Sequence, residues 1–427
     1  KVMAAFINFL VNNIFNQVAI LIGIVAMIGL ILQRKPVEEV ISGTIKAVVG
    51  ILIMLAGTDL FTAGLSSFQT IVSSAFGITA PVAANTLDNF TANFGSIAVS
   101  IMALGFLIHL ILVRLFNTGF VYLTGHLMWW ISLVITASFL EVFPTMNQGW
   151  LIVVGAILIA LYWTLQPRII HKYMKKVTKS DDVGYGHTSS SVAYLAASLG
   201  GYIGKPEEST ENIKIPQRLS FMNDITVGTA FIIGIILLIA VFFADRAVVV
   251  ELAGNLNFVV WAILQGLRFA AGITILLYGV RLFLGEIVPA FRGISQKLIP
   301  GARPALDVPV VFPYAPTAVL VGFISSTIVF LILMVIFGVT GYATIVPSMI
   351  MLFFPGAGAA IFGNATGGWK GAVLGGAVNG LFLAFGQAIT WPMLSNTAPE
   401  LAVLADPDWY IITWIIVGIS SLIKSLM

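Results

Sequence analysis

Long apolar runs alternate with short polar interruptions along the whole chain. About 20 apolar residues cross the hydrocarbon of a bilayer, and runs of that order are predicted to be spans at 15–33, 95–116, 127–141, 148–166, 225–243, 317–339, 371–390 and 409–426. Two further helices carry polar residues. One runs over 37–61, with Glu38, Glu39 and Lys46 near its start, and is expected to break at Gly57-Thr58-Asp59. The other runs over 257–284 and continues as an amphipathic piece through Arg292 to Lys297. Residues 62–93 are too polar to span simply and read as a hairpin bracketed by Asp59 and Asp88, which suit interfacial or capping roles. A later interruption runs from Pro347 to Pro355 and on through Gly356-Ala357-Gly358-Ala359-Ala360. It lacks the spacing of a phosphate loop, and small residues packing helices closely explain it better. The count comes to about ten or eleven spans.

One interruption stands apart. Leu298 to Pro309 holds three prolines, Gly301, Arg303 and Asp307 between two long apolar segments. Lipid cannot satisfy exposed backbone groups, so broken backbone at membrane depth must be buried in protein or line a wet cavity. An acid there reads as a pathway or substrate residue; a surface loop with a solvated aspartate is the alternative. A shift of 222 residues carries this stretch onto a second one, Ala80 to Leu87, and sets Asp307 opposite Asn85. The same shift pairs Gly50, Gly57, Leu60 and Phe61 with Gly272, Gly279, Leu282 and Phe283, Lys46 with Arg268, and Thr118-Gly119-Phe120 with Thr340-Gly341-Tyr342. Paired interruptions in two halves point to a transporter site between repeats, and an odd number of spans per half would invert the halves.

Composition narrows the class. Charged residues make up 9% of the chain and the mean hydropathy is +1.03, which excludes a soluble core. A net charge of +3, scattered, does not suit nucleic acid, and the absence of cysteine excludes disulfides, a thiolate nucleophile and a thiolate metal site. No cofactor and no metal is expected, and any phosphoryl or thiol chemistry must be brought by another chain. The first span reads as a retained helix stopped by Arg34-Lys35, which places the N-terminus outside.

The histidines hold the candidate chemistry. His109, on an apolar helix, suits a satisfied core position. His126, in Leu123-Thr124-Gly125-His126 at the mouth of a span, serves a site or a structural role equally well by spacing. A second Gly-His pair, Gly186-His187, lies in Gly184–Ser191 within the hydrophilic segment 167–222, where a flexible linker is the bland reading. Arg168, Lys172, Lys175, Lys176, Lys179, Lys205, Lys214 and Arg218 make this segment basic and cytoplasmic; Lys172 to Lys179 could lie on the membrane surface as a short helix.

Gly279 to Gly301, together with Leu123–His126, Gly186-His187, Ala305-Leu306-Asp307, Gly367-Gly368-Trp369 and Ile41–Lys46 in the same order, resembles the ascorbate-type membrane (IIC) component of the bacterial phosphotransferase system. The resemblance covers nearly the whole chain. It implies a homodimer in the inner membrane with scaffold and mobile core domains, an elevator motion, and phosphorylation of the ligand by a cysteine-phosphorylated IIB partner supplied through IIA. It also implies a pocket of Thr86, Leu87, His126, Trp130, His187, Thr188 and Asp307, with Asp307 accepting ligand hydroxyls and holding the reacting one. Family ascorbate members have glutamines at the positions of Trp130 and Thr188. Another polyol, sugar or sugar acid is therefore a possible ligand.

The expectation is an all-α polytopic membrane protein of two inverted repeats with re-entrant hairpins: 1–166 and 223–427, joined by a cytoplasmic basic loop at 167–222. It would contact lipid and bind a small polyhydroxylated ligand for phosphorylation. A proton- or sodium-coupled transporter with Asp307 as coupling carboxylate is the rival, and a channel or receptor that lost transport is a third reading.

Overall fold

A computed structural model describes residues 9, 13–14, 17–116, 119–213 and 216–426. Thr118, Lys214 and the first two positions of the 15–33 span lie outside them. In order, the elements are α1 Val18–Leu32, α2 Val37–Ala75, α3 Leu87–Phe116, β1 Phe120–Tyr122, α4 Gly125–Val142, α5 Gln148–Thr178, β2 Gly184–Tyr185 and α6 Ser190–Ile203. Three 3₁₀ turns lead to α7 Ile225–Phe243, α8 Arg246–Ala253 and α9 Phe258–Lys297. Then come β3 Arg303–Leu306, a 3₁₀ helix Val308–Tyr314, α10 Pro316–Thr340, α11 Met349–Met393, α12 Leu401–Leu404 and α13 Pro407–Leu426. Among the described residues, nine helices are long and apolar enough to cross a membrane, and α1 is a shorter apolar helix. The protein is mostly helical, with one small sheet that the apolar pattern did not announce.

The chain does not break at Gly57. Thr58 Oγ1 donates to Met54 O one turn back at 3.0 Å, so the polar side chain is satisfied within a continuing helix. The glycine serves an approach between backbones. A Cβ at Gly57 would meet the backbone of Leu276 and the carbonyl of Gly272, and one at Gly279 would meet Met54 N and Gly50 O. Helices α2 and α9 therefore cross antiparallel through Gly50, Gly57, Gly272 and Gly279, the close contact that small residues permit in membranes. The expected hairpin at 62–93 is likewise absent: α2 runs on to Ala75, residues 76–86 are largely irregular, and α3 starts at Leu87.

Helix α11 is two helices doubled back on each other. Gly368 takes φ 59° and ψ −150°, a conformation that favours glycine. The arms pack small residue to small residue, Gly363 against Gly371 and Gly375 against Ala359. The segment expected to be interrupted around Pro355 is thus helical from Met349, and only 343–348 is irregular. There Gln387 closes a two-way clasp on Val346, accepting from its N–H at 3.0 Å and donating to its carbonyl at 2.9 Å.

Of residues 167–222, the first twelve complete α5, so Lys172, Lys175 and Lys176 sit on its final turns and Lys179 at its C-cap. Gly184 to Ser189 are buried, and α6 packs through Gly200 against Gly363 and Gly367 of α11. The Gly/Ser-rich patch is a packed segment, not a linker.

Candidate functional site

Three short strands draw the two Gly-His pairs to Asp307. β1, β3 and β2 form one parallel sheet in that order, with Tyr122 beside Ala305 and Tyr185 beside Leu306. Past the strand ends the pairing continues: Leu123 N donates to Ala305 O at 3.0 Å and Gly186 N to Leu306 O at 2.7 Å. Asp307 follows β3 directly, His187 comes two residues after β2 and His126 four residues after β1, and all three line one cavity. Arg303 at the base of β3 lies 3.6 Å from Asp181. Hydrogen bonds from Lys175 and His171 hold the Asp181 carboxyl at about 2.

His126 Nε2 lies 3.7 Å from Asp307 Oδ2 and His187 Nε2 lies 3.7 Å from Asp307 Oδ1. His187 Nε2 is also 3.8 Å from Asp406 Oδ2. All three are ion-pair distances, too long for direct hydrogen bonds, so a ligand oxygen has room to bridge these groups. The far side of His187 is fixed: Nδ1 bonds Ser189 Oγ at 2.8 Å, and Ser189 Oγ bonds Tyr185 OH at 2.9 Å. Asp307 accepts from Val308 N at 2.7 Å, which fixes one oxygen at the start of the 3₁₀ helix. These side chains open onto a cavity of about 480 Å³ whose lining includes Trp130, Phe354 and Trp409. Trp130 and Trp409 stack at 5.9 Å and 27°.

A clip from the last span holds this arrangement. Asp406 accepts from Thr188 Oγ1. Asp408 accepts from Ser190 N at 3.2 Å, Ser190 Oγ at 2.7 Å, Ser191 N at 2.9 Å and Tyr162 OH at 2.6 Å, so its carboxylate caps α6 from another segment. Asp408 N in turn donates to Thr188 O at 2.9 Å.

Of the expected pocket, the structure brings His126, Trp130, His187 and Asp307 together in one cavity. Thr188 is buried behind them and bonded to Asp406. Thr86 and Leu87 do not line the cavity. Thr86 Oγ1 accepts from Asn89 N at 3.3 Å, and Leu87 N donates to Glu400. His109 is a satisfied core residue: Nε2 accepts from Tyr122 N at 3.0 Å, which places the proton on Nδ1, facing Thr164 Oγ1 at 2.8 Å. Asp406 and Trp409 were not anticipated, although the 222-residue shift sets Trp409 opposite His187. The Trp409 indole N–H is buried without an acceptor among the described residues. No three His, Cys, Asp or Glu side chains among the described residues form a metal-ligand group.

A histidine-flanked carboxylate in a cavity, with nine membrane-length helices among the described residues, is the kind of site membrane transport proteins carry. The family model of the sugar-specific permease component of the phosphotransferase system (EIIC-GAT) matches residues 13–408, and the chain belongs to that family. It is thus a multi-pass protein of the bacterial inner membrane. It is also 28% identical over 420 residues to the ascorbate-specific phosphotransferase EIIC component of Mycoplasma pneumoniae. That match covers 85% of this chain and 63% of the relative's length, so the chain spans less than two thirds of it.

Proposed function

We propose that this chain is a phosphotransferase-system IIC permease. It binds a small polyhydroxylated ligand (ascorbate or a related sugar, sugar acid or polyol), carries it inward by an elevator motion, and presents it to a cysteine-phosphorylated IIB partner. The observation that carries this reading is Asp307 set between His126 and His187, each 3.7 Å away, at the end of a broken segment. Asp307 would accept ligand hydroxyls and hold the reacting one, while the imidazoles orient the others. For phosphoryl transfer the chain's part is positioning, which lowers the entropic share of the barrier. A homodimer, with scaffold and core domains drawn from both halves, completes the proposal.

Element bounds support two repeats. Helix α2 (37–75) and α9 (258–297) keep the 222-residue offset, and α4 and α5 (125–142, 148–178) keep it with the two arms of α11. The equivalent helices α2 and α9 cross antiparallel and reciprocally through equivalent glycines. A two-fold axis in the membrane plane produces that relation, as inverted repeats require.

Proteoliposome uptake tests the reading. Ligand should accumulate in phosphorylated form only with phosphoenolpyruvate and the soluble phosphotransferase proteins. Uptake that follows a proton or sodium gradient and ignores phosphoenolpyruvate would instead make Asp307 a coupling carboxylate.

A further inference from the structure

Helices α5, α6 and α13 and the second arm of α11 enclose a groove of about 560 Å³ that shares no lining residue with the central cavity. Its walls are mainly apolar, with Leu165, Ile169, Leu195, Phe382, Ile411 and Ile415 among them. At its inner end Tyr162, Ser190 and Ser191 are bonded to Asp408, so that carboxylate is already occupied. Leu165, Ile169 and Ile415 are 48%, 58% and 53% exposed on helices long enough to cross a membrane. The groove therefore opens sideways onto the acyl chains of the bilayer.

Its mouth lies at the end of α5. Tyr194 lines the groove, and its hydroxyl accepts from Lys172 Nζ at 2.8 Å. The same ammonium sits 4.7 Å from the ring centres of Tyr173 and Tyr194, and Lys176 Nζ lies 5.8 Å from that of Tyr173. Arg168, Lys172 and Lys176 follow at four-residue steps and so form one exposed stripe on the helix. Among the described residues none of the three has a carboxylate within ion-pair distance, whereas Lys175 on the neighbouring face is taken by Asp181 at 2.9 Å. Three uncompensated cations thus edge an apolar groove at the basic, cytoplasmic end of the span.

We propose that this groove seats one anionic phospholipid of the inner leaflet, with an acyl chain between α5, α6 and α13 and the phosphate on Lys172 and Lys176, steadied by Arg168. Basic pockets between spans on the cytoplasmic side take such head groups. A choline lipid gains less, because the tyrosine faces that would attract its ammonium already carry lysines. A second copy of the chain, related by an axis along the membrane normal, would set a like stripe of cations at the same depth. The seated lipid braces α5 against α6 on the membrane side of the Asp408 clip.

Native mass spectrometry of the detergent-purified chain provides the test, with phosphatidylglycerol and phosphatidylcholine of matched acyl chains as probes. Phosphatidylglycerol should bind about fivefold or more tighter, the scale of one basic side chain at an anionic lipid. Lys172→Gln and Lys176→Gln should each cut that preference about threefold to fivefold. Lys179→Gln, at the C-cap and off the stripe, should leave it unchanged. Leu165→Trp, on the groove rim, should weaken both lipids. Equal affinities for the two lipids in the unmodified chain overturn the proposal, and so does binding of neither. Lys179→Gln acting as strongly as Lys172→Gln overturns it as well, since that marks diffuse attraction to the surface. If Leu165→Trp breaks an oligomer and leaves lipid binding unchanged, the groove belongs to a second copy and the proposal falls. None of these outcomes touches the permease reading, which the proteoliposome assay decides alone. The comparison of the two lipids in the unmodified chain stands even where a variant does not fold.

Discussion

Two broken stretches follow the two long helices that cross at the glycines, and they end differently. After α9 the chain enters β3 between β1 and β2, and Asp307 emerges at the cavity. After α2 no strand forms among the described residues of 76–86. There Asn85 donates to Thr397 O at 2.6 Å and accepts from Asn89 at 2.7 Å, and Leu87 N is held by Glu400. The break after α9 thus leads to a carboxylate between two histidines, and the break after α2 to a tether on Thr397 and Glu400. What differs is the neighbours: the second stretch lies between β1 and β2, each of which leads to a histidine.

Making the second stretch resemble the first should have the largest effect. Asp307→Asn, and equally His187→Ala, is expected to remove ligand binding measurable by calorimetry, a loss on the order of 3 kcal/mol for a charged hydrogen-bonding group. Circular dichroism and gel filtration should remain those of the folded protein. Ligand affinity equal to the parent chain in both variants would sink the role given to this centre.

The two crossing helices should respond alike where their glycine contacts are alike. Gly57→Val and Gly279→Val each force a side chain into the partner backbone, an overpacking cost of about 1–3 kcal/mol or more. Similar falls in melting temperature are expected. A fall in one variant only would contradict a reciprocal crossing.

Smaller effects separate cavity from tether. Trp130→Ala should weaken binding about five- to tenfold, roughly the worth of one aromatic contact, and Trp129→Ala by less; the reverse order in titrations would remove Trp130 from the ligand. Glu400→Gln should cost about 0.5–1.5 kcal/mol of stability, the net worth of one hydrogen bond, and leave affinity unchanged. A changed Kd would mean that the first stretch also reaches the ligand.

Much of this was legible in the sequence because proline and glycine mark backbone that cannot continue a helix. Pro300, Gly301, Pro304 and Pro309 marked the segment that delivers Asp307, and the Gly-His pairs marked its flanks. Gly57 misled because glycine also serves close helix approach, and only the partner helix tells the two uses apart. The sheet was invisible: strands of two to four residues are too short to show alternation. Asp406-Pro407-Asp408-Trp409 resembled an ordinary helix start, and its grip on Thr188 and Ser190 spans more than two hundred residues of chain.

The brevity of those strands has a cost in length tolerance. Each residue of extended chain advances about 3.3 Å and turns its side chain to the opposite face. One residue deleted between Ile299 and Arg303 would therefore slide the carboxylate a full step out of line with both imidazoles and aim it away from them, with every helix intact. The connecting turn works as a ruler, and its length is as much a part of the binding chemistry as the groups it aligns.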